Sequence, residues 1–195
     1  MNNGLADFEV LDTAVGRSPP VLKDIIVRRT NVIFLDIDGV LNSEKTSNPR
    51  DLPYVIDKRL LRVFKRIVAR THAKIVLISD WRHDPAGLFS CRHWGLRYDD
   101  VVPDRPKKSR GDQIRAWLRK HRYVTRYAVI DDDDDELDEL PLFQPSSSDG
   151  LTQKIAHGVV KFLEGRTDKD MRSGAIVRTL ENARKRVKRL TKRGG

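Results

Sequence analysis

The chain has 195 residues, and its 38 Lys and Arg against 28 Asp and Glu give a formal net charge of +10. That length suits one domain with room for an appendage, and 34% charged against 38% hydrophobic residues points to a packed core with charged ends. The single cysteine, Cys91, excludes an internal disulfide and a cysteine-rich zinc module, and no apolar stretch approaches the roughly 20 residues of a membrane span.

The charge is uneven. Residues 166–195 hold 11 Lys/Arg and 3 Asp/Glu, a net of +8, which leaves 27 and 25, a net of +2, for residues 1–165. The N-terminus lacks a positive start followed by an apolar run, so no secretory signal is expected. The lone thiol suits a reducing compartment, and the expectation is a cytoplasmic protein.

Residues 1–30 show weak periodicity and contain "GRSPP", the mark of an N-terminal extension. "NVIFLD" (31–36) is a short, β-branched apolar run and predicts a buried strand. A polar, Gly- and Pro-containing loop follows. "DKRLLRVFKRIVART" (57–71) sets Leu60, Leu61, Phe64, Ile67 and Val68 at helical spacing behind Asp57 as N-cap. "AKIVLIS" (73–79) predicts a second buried strand, and "LRYDDVV" (96–102) a short one after a mixed segment.

A helix is expected from near Asp112, with Ile114, Trp117 and Leu118 on one face. "RYAVID" (126–131) predicts another strand. "DGLTQKIAHGVVKFLEG" (149–165) predicts the last core helix, stopped by Gly165. Alternating strands and helices imply a doubly wound, Rossmann-like parallel sheet with helices on both faces. The expected organisation is an N-terminal extension (1–30), a catalytic domain (31–165) and a basic helical tail (166–195).

Such sheets bind ligands beyond the carboxyl ends of their strands. Those ends supply Asp36 and Asp38, then Ser79, Asp80 and Trp81, then Asp131 and Asp132. In "LDIDG", two carboxylates two residues apart can divide labour, Asp36 as nucleophile and Asp38 as general acid and base. A carboxylate attacking a phosphoryl group needs its repulsion relieved, as a hard cation such as Mg²⁺ does. Asp131 and Asp132 are placed to complete its oxygen ligands. Ser79 and a cationic side chain can bind the remaining phosphoryl oxygens.

"FLDIDGVLN" resembles the first motif of haloacid-dehalogenase-like (HAD) phosphohydrolases, Ser79 after "KIVLI" is similar to the second, and "VIDDD" to the acidic fourth. The resemblance spans residues 31–165. "SDWR", "RGDQIRAWL" and "DGLT" further resemble the small-cap HAD domains of RNA-repair-like proteins. It implies a Mg²⁺-dependent phosphatase that forms an aspartyl-phosphate on Asp36. Asp38 would protonate the leaving oxygen and then activate water. The cation would be held by Asp36, the backbone carbonyl of Asp38, and Asp131 and/or Asp132.

The departure lies in the third motif, normally a lysine near the start of the helix before the last motif strand. "RPKKSRGDQI" offers Lys107, Lys108 and Arg110. Arg110 directly precedes the helix-opening Gly111, and Lys108 is the nearest lysine.

Weaker signals carry alternatives. Trp81 either packs in the core or stacks on a base, and Arg82 can grip a phosphate. Cys91 and His93 are read as ordinary surface or core residues. The run Asp131–Asp135 opens like a calcium loop, but Glu136 and Leu142 occupy its glycine and glutamate positions, and no P-loop motif occurs. Asp133 and Asp134 are read as loop charge, while Asp135 is spaced to join the metal pair. The tail spaces Ile176, Leu180, Ala183, Val187 and Leu190 as an apolar helical stripe among Lys and Arg: an arm for nucleic acid, an anionic membrane surface or a partner helix, or else a helix folded onto the body or a solvated tail.

Short loops leave room for a minimal cap only. An open site favours bulky phosphorylated substrates, such as a nucleotide or a polynucleotide end. The rivals are a nucleic-acid-binding module that uses the basic tail on a HAD scaffold, and a phosphotransferase.

Overall fold

The computed structural model describes residues 30–165 apart from 106, 107, 135, 136 and 138. The N-terminal extension, the basic tail, Lys107 and Asp135 therefore lie outside the described residues.

The first strand, β1 (Thr30–Leu35), is the predicted apolar run, and Val32 to Leu35 are fully buried. Alternation along β1 sends Ile33 and Leu35 into one core cluster and Val32 and Phe34 into the other. A strand covered on both faces reads as continuously apolar, hence "VIFL". Helix α1 (Lys58–Thr71) starts behind Asp57, whose Oδ1 accepts the Arg59 N–H at 2.7 Å. It buries Leu60, Leu61, Phe64 and Ile67, and His72 at φ 50° ends it.

Strand β2 (Lys74–Leu77) pairs in parallel with β1, Ile75 opposite Ile33. A 3₁₀ turn over Asp80–His83 leads into α2 (Pro85–His93), capped by Asp84. Strand β3 (Asp100–Val101) is a two-residue remnant of the expected 96–102 strand. Helix α3 (Arg110–Lys120) begins two residues before Asp112, because the Ser109 hydroxyl accepts the Asp112 N–H at 3.0 Å. Strand β4 (Val124–Ile130) pairs with the other edge of β1, and β5 (Leu142–Phe143) adds two residues beyond it. Helix α4 (Gln153–Leu163) follows its Thr152 cap, and Gly165 at φ 76° stands just past its end.

The result is an all-parallel five-stranded sheet in the order β3-β2-β1-β4-β5. Buried side chains of α1, α2 and α4 join the cluster on one face, and Ile114 and Trp117 of α3 join the other. The doubly wound fold is as the sequence implies. From β1 the chain winds first to β2 and then to β4 on the opposite side, so the strand order switches at β1 and opens a crevice at its carboxyl end. Residues 36–57 contain turns without helix or strand, a minimal cover for that end. Among the described residues no helix is long and apolar enough to cross a membrane.

Candidate active site

Leu35 pairs with Ile130 at the last step of the β1–β4 ladder, and the Asp36 N–H continues it by donating to Ile130 O at 2.9 Å. Register alone therefore brings Asp36 beside Asp131. Beyond Asp36 the chain turns sharply: the N–H groups of Val40 and Leu41 both donate to Ile37 O, at 3.1 and 2.7 Å. Gly39 at φ 67° makes this possible, and a Cβ there would land on the Asp132 carboxylate. The turn is thereby fitted around Asp132.

Asp36, Asp131 and Asp132 each offer a carboxylate oxygen within 4.8 Å of the others. Asp131 is fully buried and Asp36 almost so. Arg110, at the start of α3, reaches in: Nη1 donates to Asp131 Oδ2 at 2.7 Å and lies 3.8 Å from Asp36 Oδ1. Burial pushes the Asp36 carboxyl well above the usual carboxylate range, and the Asp131 charge adds to it, while Arg110 opposes both. Burial likewise raises Asp131 against the pull of its Arg110 partner, and it raises Asp132. Three crowded acids thus hold more negative charge than one guanidinium offsets.

Asp38 has different surroundings. Trp81 Nε1 donates to its Oδ2 at 2.8 Å, and Asn42 Nδ2 to its Oδ1 at 2.7 Å. Asn42 is itself fixed, since its Oδ1 accepts the Gly39 N–H at 2.9 Å and its Nδ2 also donates to Val55 O at 3.1 Å. Trp81 is buried against Tyr54, ring centroids 5.0 Å apart. The carboxylate is held by two neutral donors, with one oxygen assigned to each.

An open cleft of about 330 Å³ is lined by Asp36, Asp38, Asp80, Arg110, Asp132 and Asp133. Of the expected residues, Asp36, Asp38, Asp131, Asp132 and Arg110 come together. Ser79 is fully buried at the end of β2, where Oγ accepts the Trp81 N–H at 3.4 Å and caps the turn; it is not part of the cleft lining. Lys108 is exposed and does not line the cleft, and its backbone carbonyl receives Gln113 Nε2 at 3.0 Å. Of the described third-motif candidates, Arg110 is the one at the acids.

Arg82 is buried beside the cleft, donating to Ile78 O and, at 3.2 Å, to Gln113 Oε1. Asp133, read from sequence as loop charge, lines the cleft, while Asp134 does not. Asp80, Asn42 and Trp81 were not assigned roles at the acids. The visible signal for two of them was position: Asn42 closes "DIDGVLN" and Trp81 lies two residues past a strand exit.

The donor set fits a hard divalent cation. Carboxylate oxygens are its preferred ligands, and they are gathered here without enough positive charge of their own. The Asp38 backbone carbonyl accepts no hydrogen bond among the described residues, so it is open to serve as a further oxygen ligand.

A parallel α/β sheet with paired acids at adjoining strand ends is the architecture of a HAD-like domain. The family model described as "HAD domain in Swiss Army Knife RNA repair proteins" matches residues 32–156, and the chain belongs to this family. Curated proteins and solved structures gave no match. Membership supports a phosphohydrolase-type enzyme, and the aspartate cluster suits the divalent metal that such domains typically use.

Proposed function

We propose that this protein is a Mg²⁺-dependent phosphatase that hydrolyses phosphomonoesters through an aspartyl-phosphate on Asp36. The observation that carries this reading is the contrast between two acids two residues apart. Asp36 lies among buried carboxylates with Arg110, while Asp38 is held separately by Trp81 and Asn42. Distinct surroundings for paired carboxylates are what a division into nucleophile and acid/base requires.

An Asp36 carboxylate oxygen attacks phosphorus, and the bond from phosphorus to the ester oxygen breaks. The leaving oxygen takes its proton from Asp38. Asp38, now a carboxylate, removes a proton from water; the water oxygen attacks phosphorus, the Asp36–phosphorus bond breaks, and inorganic phosphate leaves. Arg110 orients the phosphoryl oxygens and balances charge as it spreads over them. Asp36, Asp131, Asp132 and the Asp38 carbonyl would hold the cation, which when bound supplies charge neutralisation between nucleophile and substrate.

The substrate is a nucleotide or polynucleotide phosphate. The RNA-repair description of the family and the minimal cover over the cleft support that choice. The test is phosphate release from an aryl phosphate and from 3′- and 5′-phosphorylated oligonucleotides, with Mg²⁺ and with chelator. Release that needs Mg²⁺ and vanishes in Asp36→Asn is expected; a wild type inert on every substrate overturns the reading.

A further inference from the structure

One carboxylate oxygen of the cleft lining sits among two arginines and a histidine and hydrogen-bonds to none of them. Asp80 Oδ1 is 3.7 Å from Arg82 Nη1, 3.7 Å from His83 Nε2 and 3.8 Å from Arg110 Nη2. Hydrogen bonds between nitrogen and oxygen lie near 2.7–3.2 Å, so all three contacts are too long. All three nitrogens face one point of the space between them, which Asp80 Oδ1 holds at ion-pair distance.

Arg110 links this space to the nucleophile. Its Nη1 faces Asp131 and Asp36, and its Nη2 faces Asp80. A planar guanidinium presents both edges at once, so it can serve two anions side by side. Arg82 is fixed by Ile78 O and Gln113, and among the described residues its buried Nε has no hydrogen-bond partner. Burying a guanidinium is costly, and an anion bound beside it offsets part of that cost. Asp80, by contrast, is 76% exposed on its side chain and free to swing into solvent.

We propose that Arg82, His83 and Arg110 form a second anion subsite, which takes a non-scissile phosphate of the substrate and which the Asp80 carboxylate occupies in the free protein. The inference rests on the phosphatase reading and sharpens it: the preferred substrate carries a second phosphate beside the one removed. A tetrahedral phosphate presents several oxygens, so it can meet separate donors that a single carboxylate oxygen cannot. Asp80 occupies the subsite while it is unfilled, and it competes with the incoming anion.

The experiment compares a nucleoside 5′-monophosphate, a nucleoside 3′,5′-bisphosphate and a 5′-phosphorylated dinucleotide as substrates with Mg²⁺. Wild type should show a lower KM for the two substrates with a second phosphate. His83→Ala should raise those KM values about tenfold, the loss of one hydrogen bond to a charged phosphate, while the monophosphate KM stays within about twofold. Asp80→Asn should lower them several-fold at unchanged kcat.

Calorimetric titration of the bisphosphate into Asp36→Asn, alone and combined with each change, reads binding without turnover and should follow the same order. Preference for the dinucleotide identifies a polynucleotide end, and preference for the bisphosphate a free nucleotide. If monophosphate is hydrolysed but both variants shift all three substrates equally, or not at all, the subsite falls and the phosphatase reading stands. If wild type releases phosphate from none of them, both fall.

Discussion

Arg110 Nη1 donates to Asp131 Oδ2 at 2.7 Å and stands 3.8 Å from Asp36 Oδ1, so one guanidinium is shared between two buried carboxylates. Without a divalent cation, this arginine is the main charge that keeps the pair tolerable inside the protein. Arg110→Ala leaves Asp131 buried and unpaired, a loss of about 3–5 kcal/mol. Urea unfolding in chelator should record it as a lower midpoint with the same slope, and Mg²⁺ should restore part of it. Arg110→Lys keeps the charge but not the fork, so it should fall between.

Asp36 makes stability depend on pH in a defined direction. Its native carboxyl titrates well above the usual range, through burial first and Asp131 second, whereas an unfolded aspartate ionises near about 3.9. Between those values the native state holds a proton that the unfolded state has released, so stability falls as pH rises through the window. Asp36→Asn removes that ionisation. At pH 7 without metal the variant should melt higher than wild type, by about 2–4 °C for each kcal/mol recovered in a chain of this size. The gap should narrow as pH drops toward 4. Calorimetric melting across this range decides it, and a wild type that melts higher at pH 7 in chelator contradicts the assignment.

The Trp81–Asp38 hydrogen bond is a positioning contact. Trp81→Phe keeps most of the ring against Tyr54 but removes the Nε1 donor, leaving the Asp38 carboxylate held by Asn42 alone. Because general acid–base catalysis is worth about 10²–10⁴, a loosened acid should cost about tenfold or more in kcat with little change in KM. A melting temperature near that of wild type beside the lowered kcat separates this from simple loss of packing.

How much of this could be read from the sequence depended on periodicity. Strands β1, β2 and β4 announced themselves because burial on both faces demands unbroken apolar runs, and α1 and α4 because each has a strong apolar stripe. Helix α2 did not: it buries only Gly87 and Cys91, so no stripe marks it. Strand β5, two residues long, is set by pairing with β4 rather than by its own residues. At the site, Asp36 and Asp131 were legible because both end apolar strands. The Asn42 and Trp81 clamp on Asp38 was not, since it depends on how two turns pack across 43 positions of sequence. Arg110 adjoins Gly111 in the sequence, and the structure brings its guanidinium to Asp131.

The aspartate run separates into positions with different surroundings. Asp132 lies within 4.8 Å of the other two acids, whereas Asp134 is outside the cleft lining and its backbone carbonyl accepts the Leu137 N–H at 3.1 Å. Asp132→Asn should raise the Mg²⁺ concentration for half-maximal activity by about tenfold or more, and Asp134→Asn should leave it unchanged. A Mg²⁺ titration of activity for each variant reads the difference directly.

Gly39 connects the turn after Asp36 to Asp132, the proposed cation ligand. Its φ of 67° costs an alanine about 1–2 kcal/mol, and the added Cβ meets the Asp132 carboxylate, which must move. Strain alone would lower the melting temperature and leave the metal requirement as it was. Displacement of Asp132 adds a second effect that strain does not predict: Gly39→Ala should need more Mg²⁺ for half-maximal activity, approaching Asp132→Asn. In the double variant the Mg²⁺ effects should not add, because one carboxylate is lost in both cases. Additive effects in that cycle would mean that Gly39 acts on the cation through some other ligand.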